Sequence, residues 1–296
     1  MLCAQSIRNN GDKMEKQWTA IIKPKRKLFN LNLKEVYRYK DLIWLFVKRD
    51  IKTRYKQTIL GPLWFVIQPL LTSVIHTLVF GTIAGIAPGG VPTYLFYLAG
   101  SITWGLFSGC LTATSNTFTG NAAVFGKVYF PRLTTPISVV ITQMFNFIIQ
   151  FAIYMVMSLI FFLSGDYFEI TWVAALLPIL MIQMALLGLG FGIIISSLTT
   201  KYRDLQVLVG FGVQLWMYIT PVVYAANSLG GGKLYTAMMI NPVSSIIEIF
   251  KYGWLGAGAG SLPWMYWGIS WIFTFVVLFF GIIIFNKIEK NFMDTV

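Results

Sequence analysis

Charge is scarce in this chain, and histidine, cysteine and buried acid are scarcer still. Charged residues make up 11% of the 296 residues against a hydrophobic share of 56%, whereas an ordinary soluble domain carries about a quarter charged residues. A soluble fold of this composition would need one very large core with little polar cover, so the composition points to an integral membrane protein. There is one histidine, His76. That excludes a His-based metal cluster and leaves no second imidazole for a Ser-His-Asp triad. His76 falls inside an apolar run, where an ionisable group is a candidate for function. The more ordinary expectation is a neutral imidazole hydrogen-bonded to a neighbouring helix. Cys3 and Cys110 are the two cysteines; they make no disulfide framework and are read as reduced thiols. The first 40 residues contain no apolar run long enough for a signal-peptide h-region.

Two further absences narrow the function. No apolar run carries a carboxylate near its middle, which speaks against a proton- or sodium-coupled carrier. No nucleotide-binding motif is present either. Gly120 to Gly126, followed by Lys127 and Val128, imitates a phosphate loop, but five residues separate the glycines instead of four. Val128 also stands where a hydroxyl would hold magnesium. If ATP drives this protein, another polypeptide hydrolyses it, and no cofactor is expected on this chain.

The positive features begin with where charge sits. The net charge is +12, and 15 of the 23 Lys and Arg residues precede Gly61. A basic leader of this kind suits nucleic acid or a cytoplasmic membrane face; in so apolar a chain it is read as the latter, without nucleic acid. Residues 1–31 form a cytoplasmic leader containing Lys23-Pro-Lys-Arg-Lys27. Residues 32–60 read as an amphipathic interface helix, with Asn32 and Glu35 at capping-box spacing. Val36, Tyr39, Ile43, Phe46, Val47, Ile51 and Tyr55 recur in steps of three and four, which predicts one apolar helical face laid into the bilayer interface. Gly61-Pro62 ends that helix and starts the next.

From residue 61 to 296 the pattern predicts a membrane domain of six transmembrane helices, at about 63–86, 94–114, 136–163, 172–198, 205–224 and 264–285. A cytoplasmic loop covers 115–134, and Ser164 to Glu169 is an outer turn carrying only negative charge. Segment 225–263 is too long for a turn and too apolar for a solvated loop, so short re-entrant helices are expected there before the last span. Both termini are then cytoplasmic, which places 21 of the 23 basic residues inside and only Lys233 and Lys251 outside. Aromatic residues reach 16%. Most belong to interface belts or packing; Phe65, Phe80, Trp216 and Tyr218, on the first and fifth spans, are the candidates for a channel that offers flat apolar faces to sugars.

In this order the motifs resemble a family. Arg49-Asp-Ile-Lys-Thr-Arg-Tyr-Lys56 is followed by Leu60-Gly-Pro-Leu-Trp64 with Gln68-Pro69. Then come Lys127-Val-Tyr-Phe-Pro-Arg132, Tyr202-Arg-Asp204, and Asn241-Pro242 leading to Tyr252-Gly-Trp-Leu-Gly256. From Asn32 to the C-terminus the chain is similar to the membrane subunits of type-2 ABC transporters that export bacterial polysaccharides: O-antigen, teichoic acid and capsule permeases. The leader before Asn32 is longer than the family's usual one. The resemblance implies a multi-pass protein of the bacterial inner membrane, paired with a second copy of itself and with two ATP-binding cassette subunits that carry ATP and magnesium. Its substrate would be a lipid-linked glycan. Lys127, Tyr129, Phe130, Pro131 and Arg132 fall where the family's coupling loop meets the ATPase, with Tyr202, Arg203 and Asp204 as a second contact. Arg38, Arg49, Lys52 and Arg54 on the interface helix would meet a lipid pyrophosphate, or equally the phosphates of ordinary membrane lipids. Two alternatives remain at this stage: a related permease for drugs or other lipids, and a flippase working without ATP.

Overall fold

The computed structural model describes residues 33–56, 63–86, 88–117, 120–121, 130–166, 168–199, 204–230 and 232–292. The leader 1–31, Lys127, Tyr129, Tyr202 and Arg203 lie outside the described residues, as do the side chains of Arg54 and Phe65. Among the described residues all regular structure is helical. In chain order it comprises α1 (Leu33–Arg38), α2 (Lys40–Lys56), α3 (Trp64–His76, continued by a π-helical turn Thr77–Ile83) and α4 (Thr93–Ser115). Then come α5 (Thr134–Leu163), a 3-10 turn (Trp172–Leu176) running into α6 (Leu177–Thr199), and α7 (Leu205–Ile219). The chain closes with α8 (Lys233–Ile240), α9 (Pro242–Leu255) and α10 (Trp264–Phe292).

Five stretches are long and apolar enough to cross a membrane: Val66–Ile83, Thr93–Ser115, Thr134–Leu163, Trp172–Thr199 and Trp264–Lys287. The expected span over 205–224 differs. Its helix stops at Ile219, and Thr220 is extended at φ −101° and ψ 144°. Pro221 explains the stop, because a residue ahead of proline is pushed out of the helical region. At about 1.5 Å per residue the remaining helix reaches roughly 22 Å, short of the ~30 Å hydrocarbon.

Helix α4 is the buried axis of the bundle: Leu95, Phe96, Tyr97, Ala99 and Phe107 have no exposed surface. Its tightest partner is α6, and glycine sets that distance. A Cβ on Gly188 would lie 2.6 Å from Cys110 Cβ and 2.9 Å from the Phe107 carbonyl, and one on Gly192 would collide with Thr114. Small residues four apart let two backbones approach this closely inside a bilayer. Cys110 is fully buried in the same seam.

Two expectations about surfaces are corrected. The interface helix is broken at Tyr39, whose N–H bonds back to the Val36 carbonyl at 3.0 Å. Its repeating apolar face turns into protein rather than lipid. Val36, Phe46 and Val47 are buried; α2 packs on α5; and Phe46 meets Phe130, Ile193 and Phe285 in one cluster. What α1 and α2 leave uncovered is a second apolar set, Tyr37, Trp44 and Leu45. The second correction concerns Asn241 to Leu255, whose mixture of Ser, Glu and Lys with apolar residues reads as an amphipathic stretch too short to span. Helix α9 is instead buried almost all round, because α4, α10 and the Trp172–Leu176 turn cover it.

Candidate functional site: an amide-lined cleft and a buried charge clasp

A cleft of about 370 Å³ opens between α3, α4 and α5, with Met217 of α7 at its edge. Its chemistry is unusual for a membrane-spanning region. Helix α3 contributes Gln68 and Thr72, α4 contributes Ser101, Trp104, Ser108 and Thr112, and α5 contributes Gln143, Asn146 and Gln150. No acidic, basic or histidine side chain is among the lining residues. Gln143, Asn146 and Gln150 follow one another at steps of three and four, so they share one face of α5. That spacing is legible in the sequence alone.

Glycine and proline shape the cleft. Gly105 and Gly109 of α4 lie opposite Gln150 and Gln143; a Cβ on Gly109 would sit 3.1 Å from the Gln143 carbonyl oxygen. Pro69 interrupts the hydrogen-bond ladder of α3, and Ser73 donates back to the Pro69 carbonyl at 2.8 Å. Further along, the helix widens into the π-helical turn, a local irregularity frequent at functional sites. The hydrogen-bond inventory of the lining is incomplete within the protein. Asn146 Nδ2 donates to Gln143 Oε1 at 2.9 Å. Ser101 Oγ and His76 Nδ1 are 3.4 Å apart, which joins the lone histidine to a neighbouring helix. Among the described residues no side-chain partner stands opposite the amides of Gln68 and Gln150. Gln68 is exposed and Gln150 half-buried, so these amides can both donate to and accept from whatever enters the cleft, water or ligand.

The second polar assembly lies in α9 and was missed from sequence altogether. Glu248 and Lys251 have no exposed surface. Lys251 Nζ donates to the carbonyls of Pro221 (2.6 Å), Val222 (2.9 Å) and Tyr224 (3.5 Å), and lies 3.7 Å from the centre of the Phe96 ring. Glu248 accepts from the Ala226 N–H at 3.2 Å, and from the Ser261 N–H and hydroxyl at 3.0 and 3.3 Å. Burial pushes the Glu248 carboxyl up and the Lys251 ammonium down, and each one's charge works against the other's shift. The pair clasps the non-helical segment that follows α7. Asn241 completes the junction. Its side-chain oxygen caps α9 at the Val243 N–H and accepts from Trp216 Nε1, both at 3.2 Å, while its amide donates to Thr220 Oγ1 at 2.8 Å.

The other sequence-derived candidates fall in three places. Arg38, Arg49 and Lys52 are exposed on α1 and α2; Arg49 bonds to Asp50 at 2.9 Å and lies 4.8 Å from the Phe46 ring. Phe130, Pro131 and Arg132 are buried by this chain's own helices, with Phe130 edge-on to Phe46 at 5.7 Å, so the loop and the basic helix share a contact. Asp204 is exposed at the start of α7. Of the channel aromatics, Phe80 and Tyr218 meet at 6.4 Å. Trp216 belongs to a separate edge-to-face cluster with Phe107 and Phe191, at 5.2 and 5.1 Å.

The sequence profile of the family described as ABC-2 type transporter matches residues 41–255. An O-antigen export system permease protein of Klebsiella pneumoniae is 29% identical over 255 residues, 86% of this chain and 94% of the relative. One of the same description from Myxococcus xanthus is 26% identical, over 74% of this chain and 82% of the relative. A polysialic acid transport protein of Escherichia coli is 24% identical, over 83% and 93%.

Proposed function

The chain belongs to the ABC-2 type transporter family, and from that premise we propose that it is the membrane permease that moves a lipid-linked polysaccharide out of the cytoplasm. O-antigen is the first choice of cargo, with teichoic acid and capsule after it. The observation that carries this reading is the near end-to-end match to relatives named for O-antigen export and polysialic acid transport. The family is one of multi-pass inner-membrane subunits that do no covalent chemistry, so energy comes from separate ATP-binding subunits, two per pair of permeases. The sixth span of this reading is α7 extended by residues 220–224. The Lys251 bonds to Pro221, Val222 and Tyr224 support it, since non-helical backbone survives at membrane depth only where protein satisfies it. Helices 225–263 then re-enter from the outer side, and both termini are cytoplasmic.

Pairing with a second copy comes with the family reading; the apolar surface on α3 and α7, including Leu71, Ile75, Ile83, Val207 and Phe211, would face that copy or lipid. The ATPase contact is assigned to loop 115–134 and the turn at Tyr202, Arg203 and Asp204. The edge-on Phe46–Phe130 contact would carry movement of that loop into α2. The exposed cations Arg38, Arg49 and Lys52, with Arg54, would meet the lipid pyrophosphate beside this contact.

The test begins with loss of the chain. Removing it is expected to abolish surface glycan while lipid-linked glycan accumulates inside, as read by gel analysis of the surface and cytoplasmic pools. Unchanged surface glycan would remove the reading. Pro131→Ala is expected to keep the protein in the membrane but uncouple ATP hydrolysis from export; normal export in that variant would remove the coupling assignment.

A further inference from the structure

We infer that the cleft between α3, α4 and α5 is a binding subsite for a neutral, hydroxyl-rich saccharide unit within a single subunit. The inference rests on the polysaccharide reading above and adds to it a place and a chemistry. Amides both donate and accept, as sugar hydroxyls do. Four of them line this cleft together with hydroxyls on α3 and α4. Gln68 and Gln150 are the two whose amides have no side-chain partner among the described residues, so they are free to take an incoming hydroxyl. The Asn146–Gln143 bond fixes a third amide in orientation, which lowers the ordering cost of binding. Trp104, buried against Phe107 and Trp216, contributes a fixed apolar edge to the wall.

Charge separates this site from the phosphate-binding surface. The lining contains no cation, so a phosphate or pyrophosphate gains no ionic partner there and loses its hydration. The cations are instead exposed on α1 and α2. The two regions divide a lipid-linked glycan by its chemistry: phosphate at the basic helix, neutral sugar in the cleft. A volume of about 370 Å³ is near the lower end of small-molecule pockets, which suits a short saccharide unit rather than a folded chain.

The test uses the full-length chain in native membranes, in a Cys3→Ser background, with Ser108→Cys as a reporter in the cleft wall. Cys110 is fully buried and stays silent. A small hydrophilic thiosulfonate is expected to label Ser108→Cys. Neutral oligosaccharides released by mild acid from the strain's own surface glycan are expected to protect it, and inorganic pyrophosphate is not. In cells, Gln68→Leu with Gln150→Leu is expected to lower the export rate about tenfold at equal membrane level, the combined loss of two ordinary hydrogen bonds. Gln68→Asn with Gln150→Asn is expected to recover most of it. Four results overturn the inference: no labelling, which means a second copy or lipid seals the cleft; labelling without protection, which means it holds water alone; protection by pyrophosphate, which makes it an anion site; or normal export by the leucine variant. Failure of the polysaccharide reading is told apart by the strain lacking the chain. If that strain keeps its surface glycan, the function is wrong whatever the labelling shows; if it loses the glycan while the leucine variant exports normally, only the subsite is wrong.

Discussion

The clasp in α9 and the cleft between α3, α4 and α5 solve the same problem in opposite ways. Both place polar side chains among apolar helices. In the clasp each charge is spoken for: Lys251 by three carbonyls and a ring face, Glu248 by two N–H groups and a hydroxyl. In the cleft the groups are uncharged and two amides are left open. A closed polar network fixes one conformation, because any movement exposes a charge. An open, uncharged one lets ligands come and go, because water can replace them at little cost. The contrast separates a structural joint from a surface that contacts cargo.

The sharpest way to break the comparison is to remove one charge from the clasp. Lys251→Met is expected to destabilise the protein by about 3–5 kcal/mol, since it strands Glu248 and bares the carbonyls of Pro221 and Val222. Combining it with Glu248→Gln removes the stranded charge, so the double variant is expected to be no less stable than Lys251→Met alone. Denaturant unfolding in mixed micelles measures both. Fully additive losses would mean that the two side chains act as independent hydrogen-bonding groups rather than as one clasp.

Glycine offers a second, smaller contrast. On the α6 side of α4 it brings backbones together; on the α5 side it makes room for amides. Gly192→Ala would press a methyl group onto Thr114 and the Leu111 carbonyl, and is expected to cost about 1–3 kcal/mol. At Gly105 a Cβ would meet only the Gln150 carbonyl oxygen, at 3.7 Å. Gly105→Ala is therefore expected to leave the unfolding midpoint within the error of the measurement. Equal costs at the two positions would show that the cleft wall is packed as tightly as the α4–α6 seam.

How far the sequence revealed these two regions follows from the range of the forces involved. Hydropathy is a local sum, so the five long spans end within a few residues of their expected limits: Thr93–Ser115 against 94–114, and Trp172–Thr199 against 172–198. The Pro221 stop was equally local and was passed over because the apolar run continues through it. The clasp was not legible. Glu248 and Lys251 stand three apart, the ordinary spacing of a solvated helix pair, and only the fold brings the carbonyls of 221–224 and the Phe96 ring around them. The cleft lay between these cases. The amide row on α5 is local and readable, but its meeting with Gln68 depends on how α3 packs.

Gln68→Leu with Gln150→Leu tests that meeting without disturbing the bundle. Replacing unsatisfied amides by apolar side chains is expected to change stability by no more than about 0.5 kcal/mol, or to raise it, even though export falls. A loss as large as that of Lys251→Met would mean that these amides hold the helices together and that the cleft belongs with the clasp.

The smallest effect is expected at the exposed cations, which form a third kind of polar surface. Arg49 is 41% exposed and its partner Asp50 is its neighbour in sequence, so the pair constrains little of the fold. Solvent screens it, and such pairs contribute about 0–1 kcal/mol. Its stacking on Phe46 is of similar size at an exposed site. Arg49→Ala is therefore expected to shift stability by about 1 kcal/mol at most in an unfolding titration, whereas Phe46→Ala, which empties a buried position beside Phe130 and Phe285, is expected to cost about 3–5 kcal/mol. If Arg49→Ala proves as damaging as Phe46→Ala, the basic face of α2 is part of the scaffold, and its cations are no longer free to bind phosphate.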